Sequence, residues 1–404
     1  MGNQNSVTGP LEGLNVLELS NVIAGPFAAS LLADYGANVI KVELPGVGDS
    51  FRRFGPFHAG EPLRWATMSR NKKCITLDLR NPKGLDIAKQ LVQRTDLVIE
   101  NFRPGILDKW GLTYDVMREV NKRIVVLRIS GYGQSGPYRE KAGFGMAATA
   151  FSGYTYTLGY SDRPPTSPPI SLADYLAGYM GAVASLAALM YMKNNPEEEG
   201  QEIDLALYEP LFRIMEGTLH NYTFNGVVQE RGESVSSSVS PVGVFLTKDK
   251  KWVTIVASTD RTFDRLAECI GRQDMLTDPR FDTNSERVKH NEETLQAVQD
   301  WCDGLARSEI ITRLDKAGVP ASPVNSIADI VEEPHFIARE NIVEVEHPQL
   351  GSFKMPAILP KFSKTPGKIR FPGPSLGEHN REIYCGMLGM KPEEFETLRQ
   401  EGVI

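Results

Sequence analysis

The sequence predicts an α/β protein built on a doubly wound parallel sheet, with a smaller α+β domain further along the chain. Three observations carry that expectation. Short apolar runs of strand length alternate with helical patterns through the first 130 or so residues, which is the order of a parallel sheet with right-handed crossovers. A Gly25-Pro26 break and then Gly36 separate the first strand, the helix after it and the second strand. From about Val227 the texture changes to a polar loop, a hairpin signature and several helices. At 404 residues the chain is also too long for one ordinary core, and two domains are expected.

Taken in order, residues 14–19 form a first apolar strand, the Gly25-Pro26 pair a break, and residues 27–35 an apolar helix. Gly36 then precedes a second strand over 38–42. A third strand is expected over 74–79, and a helix over 82–94 with proline at its start, where the missing N–H costs nothing. Residues 96–100, 113–120 and 123–130 give a strand, a helix and a strand. A Pro- and Ser-rich stretch, 163–169, reads as a rigid loop leading into a long helix from near Leu172. A strand over 202–208 and a helix over 210–225 complete the first part, residues 1–226.

The second part, 227–332, carries β-rich runs at 243–247 and 252–257 around Lys248-Asp249-Lys250-Lys251, then helical patterns at 261–270, 285–306 and 308–316. The third, 333–404, is rich in Pro and Gly with few periodic runs, the texture of a tail that wraps over another domain or subunit.

Composition narrows the function. Hydrophobic residues make up 41% and charged residues 24%, ordinary values for a soluble globular chain. A formal net charge of −7 argues against a nucleic-acid partner, so an anionic ligand must be met by local bases. The four cysteines, Cys74, Cys269, Cys302 and Cys385, are too far apart for a zinc or dithiol site, and no metal is expected. Residues 172–192 are nearly long enough to cross a membrane, yet they hold Asp174 and several glycines, so a buried helix is expected and no membrane partner. Residues 1–10 lack the features of a secretory or mitochondrial leader, which makes the cytoplasm the expected location. Gly2 and Ser6 match the loose N-myristoylation pattern.

Ligands of doubly wound sheets bind beyond the carboxyl ends of the strands. Here those ends carry Ser20-Asn21-Val22, Glu100-Asn101-Phe102-Arg103 and Ser130-Gly131-Tyr132-Gly133, which should converge on one crevice. No Gly-x-Gly-x-x-Gly follows the first strand, which argues against a dinucleotide, and the Walker loop, zinc-protease helix and Gly-x-Ser-x-Gly elbow are missing. Lys72, Lys73, Arg103, Lys109 and Lys141 follow in the surrounding segments and suit a ligand with several phosphates. Asp174 stands in Ser171-Leu172-Ala173-Asp174-Tyr175-Leu176-Ala177-Gly178, at the start of the long helix. It is placed to satisfy free N–H groups as a helix-terminal acid. The same place keeps a carboxylate ionised while apolar neighbours hold water off, which is what a nucleophile needs.

These residues carry a resemblance. Leu11-Glu12-Gly13-Leu14-Asn15-Val16-Leu17-Glu18-Leu19, Gly36-Ala37-Asn38-Val39-Ile40-Lys41-Val42-Glu43 and Pro45-Gly46-Val47-Gly48-Asp49 are similar to the family III CoA-transferases, the family of formyl-CoA transferase and carnitine CoA-transferase. So are Asn71-Lys72-Lys73, Glu100-Asn101-Phe102-Arg103-Pro104-Gly105, Gly131-Tyr132-Gly133-Gln134-Ser135-Gly136-Pro137-Tyr138 and the Asp174 segment. Gly318-Val319-Pro320-Ala321 and Leu376-Gly377-Glu378-His379 extend the match nearly to the end.

The resemblance implies a large domain formed by both chain ends, a small inserted domain, and a homodimer of two interlocked protomers. It implies an enzyme that moves CoA from an acyl-CoA to a free carboxylic acid, with Asp174 attacking the thioester and passing through an anhydride and an aspartyl-CoA thioester. CoA is then a substrate moiety and no further cofactor is expected. It would run past Val22, Ile23 and Ala24, the strand end from Leu77 to Arg80, Asn101, Phe102 and Arg103, with Lys109 and Lys141 nearby.

Two departures point away from formate and oxalate and toward a larger acid or a dicarboxylate such as succinate. Leu44 follows Glu43 where formyl-CoA transferase has an arginine, and residues 233–242 replace its glycine-rich run. An α-methylacyl-CoA racemase is the alternative on the same fold, but its second base, a histidine, is replaced by Phe144. A non-catalytic CoA-binding protein is the third reading. It gains nothing from a desolvated carboxylate.

Overall fold

A computed structural model of the chain describes residues 9–232 and 239–404. The chain divides into two compact units. The larger takes residues up to Tyr156, then Thr166–Val228 and Ala338–Ile404. The smaller takes Thr157–Pro165 and Gln229–Ile337, so a short piece of the proline-rich stretch groups with the inserted unit, which order along the chain did not reveal.

The larger unit is built on six parallel strands: β1 (Asn15–Glu18), β2 (Asn38–Glu43), β3 (Lys72–Thr76), β4 (Leu97–Glu100), β5 (Val125–Ser130) and β6 (Glu202–Ala206). Their order across the sheet is β3-β2-β1-β4-β5-β6, all pairs parallel. The order reverses between β1 and β4, so the loops after those strands part and leave a crevice.

Helices α1 (Ala24–Asp34), α2 (Pro82–Val92) and α3 (Tyr114–Val120) cross between strands. Asn81 and Thr113 cap α2 and α3, each accepting a backbone N–H through its side chain. Gly25 lets α1 begin against the end of β1, because a Cβ there would stand 2.4 Å from the Ser20 Cβ.

Both faces of the sheet are covered, which is why its strands read as near-continuous apolar runs. Along β1, Val16 joins one core with Ala28, Leu32, Val39, Ile99 and Leu127, while Leu17 joins the other with Ile40, Ile75, Val98 and Val126. The first core is closed by α4 (Leu172–Asn194), whose Gly178 lies against Phe27 of α1 and Gly181 against Leu127 of β5. Long and apolar enough to span a membrane, α4 is buried along one face only, with 39% of its most apolar stretch covered, so the expectation of a buried helix holds in part. The second core is closed by the chain's last residues, including Tyr384, Phe395, Leu398 and Ile404.

The C-terminal segment also seals the edge of the sheet. The Cys74 carbonyl accepts from the His379 N–H, the Thr76 N–H donates to the Asn380 side chain, and the Tyr384 hydroxyl donates to the Thr76 carbonyl at 2.6 Å. Contrary to expectation it carries regular structure, a hairpin of Ile342–His347 and Gly351–Pro356 and a helix over Pro392–Gln400.

The smaller unit holds a three-stranded antiparallel sheet, Val242–Leu246 with Trp252–Val256 and then Ala321–Pro323. Its helices Asp260–Cys269, Asn291–Asp303 and Arg307–Ala317 pack on that sheet around Phe245, Ile255, Val298 and Leu314. The strand Ala321–Pro323 follows a valine-proline pair and is too short to show as a period-two pattern.

Beneath the β1 loop runs a chain of fully buried charges. Lys41 Nζ lies 2.7 Å from Glu18 Oε1 and 2.8 Å from Asp49 Oδ2, and Lys72 Nζ lies 2.8 Å from Glu18 Oε2. Burial pushes the Glu18 carboxyl upward, but Lys41 and Lys72 outweigh it and hold the group below its ordinary value. Burial works against Lys41 as well, and Asp49 and Glu18 more than restore its charge. Replacing Lys41 by Met should therefore leave buried Asp49 without its cation and Glu18 with Lys72 alone. The expected cost is about 3–5 kcal/mol, read as a drop in the urea midpoint of unfolding.

Candidate active site

The crevice at the strand ends is organised by one loop. Asn21, just after β1, donates its backbone N–H to the Asn101 side chain at 2.8 Å, and Asn101 returns a bond to the Asn21 carbonyl at 2.7 Å. This double clamp ties the β1 and β4 loops together across the point where strand order reverses. Val22 follows in a left-handed conformation, φ 71°, costly for a β-branched residue. Its N–H points at Asp49 Oδ1, 3.0 Å away, and the same oxygen accepts from Phe51.

A cavity of about 340 Å³ lies over the ends of β1, β2 and β3 and the loop after β4. Leu77, Arg80 and Phe102, all expected CoA contacts, line it. So do Asn21, Ser50, Arg53 and Trp110, of which the last three had no signal in the sequence beyond residue type. Trp110 stands edge-on to Phe102, ring centroids 5.1 Å apart, and makes an aromatic wall. Arg80 is held by Asp78, with Nε 2.8 Å from Oδ1.

The other expected contacts separate into groups. Lys72 is a correction: it belongs to β3, is wholly buried, and its ammonium is consumed by Glu18 and by the Pro26 carbonyl at 2.6 Å. Lys73 alternates to the other side of the strand and pairs with Glu382 at 2.7 Å. The side chains of Ile23 and Ala24 are buried in the core, which leaves their backbone as the part that could face a ligand running past them. Arg103 and Lys109 are exposed and form no ion pair among the described residues. Lys141 is exposed too, its ammonium 3.3 Å from the centroid of the Tyr138 ring.

Asp174 sits in the first turn of the 23-residue α4, as the sequence places it. Its carboxylate rests directly over Gly145, the first residue of the helix Gly145–Phe151, where a Cβ would stand 1.9 Å from Oδ2. Gly143, two residues earlier, meets Gly131 of the β5 loop so closely that a Cβ on either would fall within 2.7 Å of the other's Cα. Two glycine contacts thus bring the Gly131-Tyr132-Gly133 turn and the carboxylate to one place. Burial raises the Asp174 carboxyl from 3.8 to about 6, opposed only by a backbone hydrogen bond. A carboxylate so placed is poorly hydrated, ionised at neutral pH, and a better nucleophile than one in water.

Phe144, the residue between the two glycines, is 72% exposed, and neither the turn nor the first turn of α4 holds a histidine. Among the described residues no group of His, Cys, Asp and Glu could hold a metal. Residues 233–238 of the segment standing for the glycine-rich run, and the Gly2 and Ser6 pattern, lie outside the described residues.

A six-stranded parallel sheet whose order reverses at a crevice, with a desolvated carboxylate in the same unit, defines the class, an α/β protein suited to hold a ligand at its strand ends. The profile of CoA-transferase family III matches residues 11–380, and the chain belongs to that family. It is 40% identical over 396 residues to the Succinyl-CoA--D-citramalate CoA-transferase of Chloroflexus aurantiacus, covering 98% of both chains. The beta subunit of the Succinyl-CoA--L-malate CoA-transferase of that organism is 41% identical over 403 residues, covering 99% of both. The Succinyl-CoA:glutarate CoA-transferase of Homo sapiens is 30% identical, over 98% of this chain and 90% of that one. A CAIB/BAIF family protein from Brucella suis has the same fold, TM-score 0.82 at 31% identity over 94% of this chain and 99% of that one. The protein is a family III CoA-transferase.

Two outcomes are expected from this geometry. Gly145→Ala should push the carboxylate aside and lower kcat by about 100-fold, measured against an unchanged far-UV spectrum. Asp174→Asn should show the sign of the titration. The native carboxyl is raised, so ionising it costs stability that begins to be lost above pH 3.8 and is fully lost once pH passes about 6. The variant should be more stable than the parent by about 2–3 kcal/mol near neutral pH, with the gain fading as pH falls toward 4.

Proposed function

We propose that this enzyme transfers CoA from succinyl-CoA to a second small dicarboxylic acid, with Asp174 as the covalent relay. The observation that carries the reading is the buried carboxylate over Gly145. The donor is suggested by the names of the relatives, which share succinyl-CoA and differ in the acid that accepts CoA. The Leu44 departure and the replaced glycine-rich run fit an acid larger than formate or oxalate.

The chemistry divides one difficult exchange into steps that each conserve a high-energy acyl bond. Asp174 attacks the thioester carbonyl, the C–S bond breaks, and CoA leaves as thiolate, giving a succinyl-aspartyl anhydride. The thiolate attacks the aspartyl carbonyl of that anhydride, and free succinate departs, leaving an aspartyl-CoA thioester. The acceptor carboxylate then displaces CoA, and the returning thiolate takes the acceptor's acyl group and frees the Asp174 carboxylate. No proton enters or leaves the balance. Water is the hazard, since it would hydrolyse either intermediate, and the partial burial of Asp174 works against it.

We also propose that two copies assemble as a dimer. On α4, Tyr179, Val183 and Met190 are 52%, 69% and 57% exposed, an apolar stripe that a single copy leaves uncovered. The same helix carries the nucleophile, so a second copy laid on it would also keep bulk water from the site.

Incubation with succinyl-CoA and a panel of acids, followed by mass spectrometry of acyl-CoA products, tests the exchange. Malate, citramalate or glutarate should accept CoA, and Asp174→Ala should abolish transfer while still binding CoA. Omitting the acceptor should let the aspartyl-CoA adduct be seen on the intact protein. If the only product from any acyl-CoA is an epimer at a 2-methyl carbon, the transferase reading fails. For the dimer, light scattering should return twice the chain mass, and Val183→Glu should shift it toward one.

A further inference from the structure

A second cavity, of about 460 Å³, shares a wall with the turn that carries the nucleophile. Tyr175, the residue after Asp174, lines it together with Phe27, Phe51 and Leu63, a largely apolar enclosure. Tyr175 is held edge-on against Phe27, ring centroids 4.8 Å apart. Two guanidinium groups reach this space, and their states differ.

Arg70 is committed. It grips Asp34 through two bonds of 2.8 and 2.7 Å and donates a third to the Pro356 carbonyl. The neighbouring bases are equally committed: Lys41 and Lys72 to Glu18, Arg52 to Glu43 at 2.7 Å. Arg64 is not. It donates to the Tyr175 hydroxyl at 3.2 Å and lies over the Phe51 ring at 4.7 Å, with no carboxylate paired to it among the described residues. The one carboxylate lining the cavity, Asp34, has both oxygens on Arg70.

An arginine whose charge is unpaired, in an apolar pocket, on a stacked and oriented side chain, is a receptor for an anion. The anion the reaction supplies is specific. When one carboxylate of a diacid becomes an anhydride it loses its charge, but the other keeps it and must be carried into a site from which water is excluded. Burying that charge without a partner would be prohibitive, and pairing it with Arg64 offsets the loss. A monocarboxylic acid brings no such charge and would leave the arginine desolvated and unmatched. Because Tyr175 both anchors Arg64 and follows Asp174 on α4, receptor and nucleophile are tied to a single rigid turn.

We propose that Arg64, oriented by Tyr175, binds the distal carboxylate of the transferred acid and so selects dicarboxylic over monocarboxylic acyl groups. This rests on the dicarboxylate-exchange reading above.

The test compares kcat/KM for glutarate with that for valerate, with succinyl-CoA as donor, in the parent, Arg64→Met, Arg64→Lys and Tyr175→Phe. The parent should prefer the diacid. In Arg64→Met the glutarate-to-valerate ratio should fall by about 30-fold, as expected for losing one ionic hydrogen-bonded contact. Arg64→Lys should recover part of it, and Tyr175→Phe should lower the ratio less than Arg64→Met. CoA binding and the melting temperature of each variant report whether the fold survives. If Arg64→Met lowers both acids alike, or neither, Arg64 is structural and the inference is overturned while the dicarboxylate reading stands. If the parent itself prefers monocarboxylic acids, both fall.

Discussion

The active region depends on one chain of buried charges, Lys72 to Glu18 to Lys41 to Asp49. Ion pairs of this kind are rarely the cheapest way to fill a core, since well-packed apolar residues often do as well or better. What they do here is directional. Lys41 fixes one oxygen of Asp49, and the other oxygen then accepts the N–H of Val22 and of Phe51. Val22 stands in a backbone conformation that costs about 1–3 kcal/mol for a residue of its shape. An N–H donated to a charged acceptor contributes about 1.5–3 kcal/mol, enough to hold it. Without the buried lysine the acceptor would lose its position, and the loop would relax toward an ordinary strand exit.

The consequences spread from there. The Asn21 and Asn101 clamp, one residue away, keeps the β1 and β4 loops in register with each other where the sheet order turns back. That loop also starts α1, and α1 lies against α4 at Gly178, so the first turn of α4 is placed by the same contacts. Asp174, the proposed nucleophile, therefore belongs to the rigid frame of the sheet, although it lies far along the chain from β1. Gly131, Gly143 and Gly145 complete the arrangement by letting backbone approach backbone and backbone approach carboxylate.

Much of this was legible in the sequence, for reasons that can be named. The alternation of strands and helices was visible because both faces of the sheet are covered, and Asp174 stood out because its neighbours are small and apolar. Lys72 was misread because strand β3 begins two residues before its apolar run, so two lysines that open a strand passed for a loop. Parity along a strand then sent Lys72 inward to Glu18 and Lys73 outward to Glu382. Trp110, Arg53 and Arg64 carry no motif. Trp110 and Arg53 come to the cavity only through the fold, and the proposed role of Arg64 comes from which partners are already taken, which only a three-dimensional accounting of hydrogen bonds reveals. The C-terminal helix hides for a different reason, being a short element that packs Phe395 and Leu398 into a core built mainly by distant parts of the chain.

A covalent relay through a carboxylate imposes opposite demands on one residue. In the proposed relay Asp174 must be ionised to attack, yet its intermediates must stay dry, and desolvation favours the neutral acid. A carboxyl near 6 is the compromise, since at neutral pH the larger part is ionised while burial is substantial. Moving it deeper would push the group toward protonation and slow the first step; moving it outward would admit water to the anhydride. The helix terminus lets the balance sit where it does, because its free N–H groups favour the charge without supplying a base that could activate water. A lysine or histidine partner would hold Asp174 ionised more firmly, but it would also weaken the nucleophile and offer a proton to the departing thiolate. The Asp174 turn and the Gly143–Gly145 loop carry no such side chain, an arrangement that fits the proposed relay.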